Sequence, residues 1–162
     1  MKVLGIDPGY DRMGWGVIER QKNDWQVLDY GCVQTSAKEN LTERLFQINE
    51  ALEKIIKKWQ PCAMGVEDLF FCNNAKTAIK VGQARGVILL TARKNNLEIF
   101  EFTPLQVKQQ ISGSGRADKK QMQKMMAIML GLKDKITQDD SADALAIAYC
   151  AGQGLCFKNR LN

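Results

Sequence analysis

The chain opens with Lys2-Val3-Leu4-Gly5-Ile6-Asp7-Pro8-Gly9, an apolar run that ends at an acidic residue and a Pro-Gly pair. The run has the length and composition of a buried β-strand, and Pro-Gly favours a turn after it. A carboxylate that interrupts such a run is costly unless it is paired or binds a cation, because a buried charge loses its hydration. The stretch therefore predicts a strand that carries a functional acid at its carboxyl end.

Two more strands are predicted next, over Met13 to Arg20 and Trp25 to Gln34. The links between the three strands are short, and short links join antiparallel neighbours, so we predict a meander. Apolar residues then recur at helical spacing from Leu41 to Trp59. Asn40 and Glu43 read as a capping box at the start of this predicted helix.

The second half of the chain continues the alternation of strands and helices. Cys62 to Glu67 predicts a fourth strand, and the crossover before it makes that strand parallel to an earlier one. A long helix over Asn74 to Asn95, a fifth strand over Leu97 to Phe102 and two or three final helices complete the pattern. The predicted fold class is α/β, with a five-stranded mixed sheet flanked by helices in one domain of 162 residues.

Four acidic residues interrupt apolar runs in this scheme: Asp7, Glu67, Asp140 and Asp143. If the first and fourth strands are parallel neighbours, Asp7 and Glu67 end adjacent strands that lie about 4.8 Å apart. Asp140 and Asp143 are three residues apart and project to one side of a helix. The chain has no histidine, so oxygen ligands remain, and these favour Mg²⁺ or Mn²⁺. The set predicts one shared cation site.

Some of these acids also have simpler interpretations. Asp7 precedes Pro-Gly and could serve the turn alone. Asp139, Asp140 or Ser141 could cap the final helix, and Asp139 is the predicted bystander. Asp143 lies inside the helix, where a cap has no use.

Basic residues form a second pattern. The formal net charge is +5, which suits a polyanionic substrate, although a soluble basic protein would show the same value. Residues 111–120 form a glycine-containing link rich in cations that could grip phosphates, or a solvated surface turn. The predicted DNA-binding cations are Lys108, Arg116, Lys119 and Lys120.

Aromatic residues follow the second acid directly. Phe70 and Phe71 come just after Glu67, and an aromatic ring beside a catalytic acid can stack on a base or wedge between bases. Two adjacent phenylalanines leave open which ring contacts DNA, and Phe70 is the preferred candidate.

The helix from Asn74 carries Ala75, Ala78, Gly82 and Gly86 on one face. This face predicts either tight packing on the chain's own sheet or a homodimer contact. The five cysteines are odd in number and form no C-x-x-C pair, so we expect reduced thiols that fill the core. The absence of a long apolar stretch predicts a cytoplasmic protein with no membrane partner.

Several motifs occur in a fixed order along nearly the whole chain: Gly5-Ile6-Asp7-Pro8-Gly9, Glu67 followed by Phe70, Gly82-Gln83-Ala84-Arg85-Gly86, Gln106-Val107-Lys108-Gln109, the 113–121 loop, and Asp140-Ser141-Ala142-Asp143-Ala144-Leu145-Ala146. Together they closely resemble the RuvC family of Holliday-junction resolvases. The Asp-x-x-Asp spacing selects Asp140 rather than Asp139 as the third acid of the family pattern.

The resemblance implies a single ribonuclease H-like nuclease domain over residues 1–162. It implies a homodimer that resolves Holliday junctions in recombination and repair by paired nicking of two opposed DNA strands. The nicked ends carry ligatable 5′-phosphates. The implied cofactor is Mg²⁺, with Mn²⁺ as a substitute and two ions per active site. The implied partners are four-way junction DNA and the RuvA and RuvB branch-migration proteins.

The same resemblance assigns roles to individual residues. The four acids, Asp7, Glu67, Asp140 and Asp143, match the family's catalytic acids and would hold the metal. Lys108 and Lys119 match its important lysines, and we expect Lys119 to neutralise charge that develops on the phosphate. Phe70 matches its base-contacting aromatic.

Three other classes of protein fit parts of the pattern. A ribonuclease H-like nuclease resembling the YqgF proteins would cut RNA instead of junction DNA. An actin-like or sugar-kinase-like ATPase can also begin with Gly-Ile-Asp-x-Gly, but it needs a second domain that 162 residues do not supply. A binding module without catalysis would leave four acids unexplained on a surface meant for DNA.

Overall fold

The structure is a computed structural model that describes residues 1–68, 75–132 and 138–161. Within these ranges strands and helices follow the predicted order. Their bounds are β1 Lys2–Asp7, β2 Arg12–Gln21, β3 Asp24–Gln34, α1 Leu41–Trp59, β4 Ala63–Glu67, α2 Ala75–Lys94, β5 Glu98–Phe102, α3 Pro104–Ser112, α4 Lys119–Met129 and α5 Asp139–Leu161. The predicted five strands are confirmed.

The five strands form one mixed sheet in the order β3-β2-β1-β4-β5. β1, β2 and β3 pair antiparallel, which confirms the predicted meander. β4 pairs parallel with β1, as the crossover through α1 predicted, and it also pairs parallel with β5. β1 is therefore the central strand, and the carboxyl ends of β1 and β4 lie side by side.

Helices cover both faces of the sheet, which explains why β1 is apolar along its whole length. Leu4 and Ile6 point to one face and pack with Ile48 of α1 and Ile88 of α2. Val3 points to the opposite face, into a second cluster with residues of α5 such as Ile147. The alternation follows from the two-residue period of a strand.

α5 lies unusually close to the sheet, because glycines line the face beneath it. A Cβ added at Gly5 would overlap the carbonyl oxygen of Ala144, and one at Gly14 would overlap that of Asp140. Glycine allows this close approach since it has no Cβ. The glycines of β1 and β2 therefore set the depth at which the first turn of α5 sits over the sheet.

The prediction that the cysteines fill the core is only partly right. Cys150 and Cys156 are buried, but Cys62 is exposed at the start of β4 and Cys32 is half-buried on β3. Cys32 deviates because its strand ends beside the acidic residues described below. In the described part of the chain, no helix has the length and apolar character needed to cross a membrane.

Candidate active site

The sheet brings the first two acids together. Ile6 pairs with Val66 in the parallel register of β1 and β4, so Asp7 and Glu67 follow on adjacent strand ends. Each strand supplies its acid at the point where its apolar run stops. The structure thus places this pair side by side, as the topology predicted.

The first turn of α5 adds the other two acids. The main chain of Asp140 lies against Gly14 of β2, which is the register partner of Asp7. Asp143 follows three residues later and lines the same pocket as Glu67. The start of α5 therefore places both acids beside the carboxyl end of β1.

Electrostatic coupling shows that the four acids share one environment. The pKa of Asp7 is raised to about 7, with burial as the largest cause and the charges of Glu67, Asp143 and Asp140 as the next causes in that order, against a smaller opposing effect of Lys119. Burial also raises the pKa of Glu67, with Asp143 as the next cause. Carboxylates that disfavour one another's charge in this way attract a cation.

The acids do not lie in the core, contrary to the simplest interpretation of the sequence. Asp7, Glu67 and Asp140 are partly accessible, and Asp143 is exposed. Burial is the largest cause that raises the pKa of Asp143. Its side chain is nevertheless more accessible to water than that of Asp7. The acids line the mouth of a cleft, where a substrate can reach them.

A cavity of about 230 Å³ lies beside the acids and has both charged and apolar walls. Glu67 and Asp143 face Lys108 and Lys119 across it, and Val107 is among its apolar lining residues. A larger surface groove of about 460 Å³ lies at the far end of α1, but its acids, Glu50 and Glu53, alternate with lysines. The smaller cavity contains two acids with raised pKa values, Glu67 and Asp143.

Local capping fixes where the two pocket lysines sit. Asp118 caps α4 by accepting a hydrogen bond from the Gln121 amide at 2.8 Å, which places Lys119 at the first position of that helix. Lys108 lies on α3, and its charge lowers the pKa of Glu67, against the larger effect of burial. Arg116 and Lys120 are exposed nearby. Two of the four sequence-predicted cations, Lys108 and Lys119, thus line the acidic cleft.

The sequence left Asp139, Asp140 and Ser141 open as the cap of the final helix and predicted Asp139 as a bystander of the metal site. Asp139 is the first residue of α5, and its carboxylate pairs with the Lys119 ammonium at 3.0 Å. Gln123 also donates to it at 3.3 Å. The hydrogen bond to Asp139 raises the pKa of Lys119, which keeps this lysine charged. Asp139 therefore holds Lys119 beside the acids.

Sequence reasoning missed two neighbours of Asp140. Arg12 Nε donates to Asp140 Oδ2 at 2.7 Å, and the Cys32 thiol donates to the same oxygen at 3.5 Å. The short turn after Asp7 was a usable signal, because a tight antiparallel pairing returns the start of β2 to the end of β1. The predicted base-contacting residues, Phe70 and Phe71, lie outside the described residues.

The donor atoms suit a hard divalent cation. All four acids offer oxygen ligands, and their mutual charge is only partly offset by Lys119 and Lys108. Across 1–68, 75–132 and 138–161, however, no three acidic or thiol side chains converge into a closed ligand cluster. The carboxylate of Asp140 turns to Arg12, which accounts for part of this spread. The acids fit Mg²⁺ or Mn²⁺ by chemistry and charge, and their side chains must converge to bind it.

The raised pKa of Asp7 predicts that metal affinity depends on pH. A proton competes with a cation for this carboxylate below about pH 7. We expect the apparent Kd for Mn²⁺ to rise about tenfold per pH unit below that value and to level off above it. Calorimetric titration at pH 6 and pH 8 in two buffers of different ionisation enthalpy measures both the affinity and the protons released. Equal affinity and equal proton release at the two pH values would contradict the prediction.

Comparison with known proteins identifies the family of this chain. The family model described as crossover junction endodeoxyribonuclease RuvC matches residues 3–151. The chain belongs to the RuvC family. It is 48% identical to the RuvC of Petrotoga mobilis over 160 residues, which cover 98% of both chains. It is 51% identical to that of Caldicellulosiruptor saccharolyticus over 151 residues, which cover 93% of this chain and 91% of the relative.

A solved RuvC structure supports the same assignment. Thermus thermophilus RuvC in complex with Holliday junction substrate matches with a TM-score of 0.87 and 36% identity, covering 91% of this chain and 90% of that one. The predicted ribonuclease H-like fold, with its five-stranded mixed sheet, is thereby confirmed for this RuvC-family chain. The family name also makes it an endodeoxyribonuclease by class.

Proposed function

We propose that this chain is a structure-selective endonuclease that resolves Holliday junctions in recombination and repair. It nicks two opposed strands in a metal-dependent reaction and leaves ligatable 5′-phosphate ends. The observation that carries the proposal is the group of four electrostatically coupled acids at the mouth of a lysine-rimmed cleft, in a chain of the RuvC family. The whole chain, residues 1–162, acts as one nuclease domain.

The four acids are the proposed metal ligands: Asp7, Glu67, Asp140 and Asp143. The proposed cofactor is Mg²⁺, replaceable by Mn²⁺, with two ions per site. When bound, such ions lower the pKa of water and stabilise the leaving oxygen. The contribution of Lys119 is to hold positive charge next to the scissile phosphate, and its contacts with Asp139 support that role.

The proposed DNA-binding surface extends from the cleft over the link between α3 and α4. Lys108, Arg116 and Lys120 are exposed there and lie close in sequence to Lys119. Such cations bind phosphates without reading sequence, so they set affinity and orientation. Phe70 and Phe71 stay predictions as base-contacting residues.

A direct assay tests the proposed function. The chain is incubated with a synthetic four-way junction or a matched linear duplex, in Mg²⁺, Mn²⁺ or EDTA, and the products are resolved on a denaturing gel. Symmetric nicks in the junction alone, with either metal, are expected. Ligase should seal them. Equal cutting of the linear duplex, or cutting in EDTA, would contradict the proposal.

An exposed apolar stripe on α2 supports a homodimer. Ile79 and Leu90 are 64% and 62% exposed, and Gln83 and Gly86 lie between them at helical spacing. Among the described residues, no atom lies within 4 Å of a Cβ added at Gly86, so tight packing of Gly86 on its own sheet is wrong. A two-fold dimer through this stripe would present two sites to a junction that has matching symmetry.

Leu90→Glu should dissociate the dimer. The two-fold axis would bury this charge in both protomers of the apolar contact, so we expect the dimer Kd to rise at least about 30-fold. Analytical ultracentrifugation measures this effect. The matched control is Ile128→Glu on α4, where the isoleucine is 76% exposed and lies off the stripe. Dissociation by the control alone would move the dimer surface to α4.

The remaining proposed relationships rest on family membership. The RuvA and RuvB branch-migration proteins are the proposed partners, because a resolvase acts on junctions that these proteins move. The proposed compartment is the cytoplasm, where junction DNA would be met.

A further inference from the structure

Two guanidinium groups reach from the helices on one face of the sheet to the ends of the two acid-bearing strands. Arg44 belongs to α1 and approaches the turn that follows Asp7. Arg85 belongs to α2 and approaches the end of β4 at Glu67. Neither arginine lines the acidic cleft. Arg85 bonds to the main chain of a proposed ligand, and Arg44 bonds to residues of the turn that follows another.

Arg44 holds the turn between β1 and β2 from several sides. Its side chain is buried, and its Nη2 donates to the carbonyl oxygen of Tyr10 at 3.2 Å and pairs with the Asp11 carboxylate. Its Nε donates to Thr35 Oγ1 at 2.8 Å, and that hydroxyl donates to the same Tyr10 carbonyl at 2.6 Å. The guanidinium also lies 4.6 Å from the centroid of the Tyr10 ring. These contacts connect α1 and the end of β3 to the turn.

This turn connects two parts of the site. It begins directly after Asp7 and ends at Arg12, which holds Asp140 Oδ2. A displacement of the turn would therefore move the strand end that carries one acid and the side chain that holds another. Arg44 is the buried charged group that prevents such a displacement.

Arg85 makes the equivalent contact on the neighbouring strand. Its Nε donates to the carbonyl oxygen of Glu67 at 3.1 Å. Its Nη2 pairs with Asp68 at 3.2 Å and also with Glu101 of β5. The Arg85 side chain is only 14% exposed, whereas the Asp68 and Glu101 side chains are 49% and 52% exposed, so the arginine end of each pair is the shielded one. Arg85 thereby fixes the end of β4 against β5.

We propose that Arg44 and Arg85 are positioning residues that set the spacing of Asp7 and Glu67. The inference rests on the proposed function, because those two acids are its metal ligands. Partners one step removed from a ligand typically change metal affinity by about 10- to 100-fold when they are lost. Small misplacements of reacting groups cost up to about 100-fold in rate. In the part of the chain that the structure describes, neither arginine bonds to Lys108, Arg116 or Lys120 of the proposed DNA-binding surface, so junction affinity should stay unchanged.

Arg44→Lys and Arg85→Lys test this role, because lysine keeps the charge but cannot bridge several acceptors at once. We expect Mn²⁺ affinity, measured without DNA, to fall about tenfold or more in each variant. The single-turnover cleavage rate should fall about 10- to 100-fold. Junction affinity in EDTA should stay within about twofold. Unchanged Mn²⁺ affinity, or a loss of junction affinity as large as the loss of rate, would overturn the proposal.

Two further variants separate positioning from stability. Thr35→Val removes the hydroxyl that links Arg44 to the turn and keeps the side-chain volume. It therefore tests the positioning role of Arg44 even if Arg44→Lys folds poorly. Thr35→Val should lower Mn²⁺ affinity, as Arg44→Lys does. Lys58→Ala is the control, because it breaks another ion pair between α1 and β3, to Asp29 at 2.9 Å, away from the turn. A loss of Mn²⁺ affinity in Lys58→Ala equal to that in Arg44→Lys would overturn the proposal.

The positioning role of the two arginines and the proposed function fail with different results. If the wild-type chain does not cut junctions, the proposed function is wrong, while the Mn²⁺ measurements still test the positioning role. If the wild type cuts junctions and binds Mn²⁺, and both lysine variants match it, only the positioning role is wrong.

Discussion

Asp7→Asn should abolish cleavage of a four-way junction, with the rate falling by about 10³-fold or more. The loss should be this large because catalytic residues that act together lose most of their effect when one of them is removed. Asp7 is the acid whose pKa responds to all three of the others, so it lies at the centre of the set. An amide is a poor substitute for an anionic ligand of a hard cation. Junction binding in EDTA should persist or tighten, because the change removes negative charge beside phosphate. Gel mobility shifts and cleavage assays measure the two effects.

The same variant should be more stable than the wild type in EDTA at pH 8. The fold raises the pKa of Asp7 from 3.8 to about 7, so the ionised carboxylate opposes folding increasingly as pH rises through that window. Asparagine removes this cost, and a higher melting temperature would show that lost activity is not lost folding. Asp24→Asn at the exposed start of β3 is the control, and it should cut normally. Metal-dependent cleavage that survives Asp7→Asn would remove Asp7 from the site.

Gly14→Ala should both destabilise the protein and disable it. A Cβ at this position would overlap the main chain of Asp140, and a helix backbone cannot move aside as a side chain can. Overpacking of this kind costs about 3 kcal/mol, which corresponds to a melting temperature lowered by about 6 to 12 °C. Any relaxation that accommodates the methyl group lifts the first turn of α5, which carries Asp140 and Asp143. The cleavage rate should therefore fall more than stability alone explains.

Gly16→Ala is the matched control for this prediction. Gly16 lies on the same strand and faces the same helix, but a Cβ there first meets the Leu145 side chain, with Cδ2 at 2.6 Å. A leucine side chain can change rotamer, so the added methyl group should lower the free energy of unfolding less at Gly16 than at Gly14. Thermal unfolding and single-turnover cleavage of the two variants give the comparison. A larger loss in Gly16→Ala would show that the depth of α5 is not set at Gly14.

Much of the fold was predictable from local patterns. The run that ends at Asp7 and the run that ends at Glu67 are each apolar because both faces of the sheet are covered, and such runs are visible in any single strand. Short links predicted the antiparallel meander, and one crossover helix predicted the parallel pairing. Those rules together were sufficient to place Asp7 beside Glu67.

The partners of the acids were not predictable in the same way. Asp139 reads as a helix cap in sequence, yet its carboxylate binds Lys119, which begins a different helix. Arg12 falls in a predicted link between two strands and Cys32 reads as a core thiol, yet both contact Asp140. Each of these contacts joins residues on separate elements, so the helical and strand periodicities of the sequence cannot predict it.

The sequence by itself determined the order of strands and helices, the mixed topology and the identity of the four acids. These depend on burial, period and link length, which act over a few neighbouring residues. Only the tertiary structure decided how deep α5 sits on Gly5 and Gly14, and which cations hold the acids and the turn after Asp7. The reason is that a side chain's partners are selected when distant elements pack, and small differences in packing distance decide which groups meet.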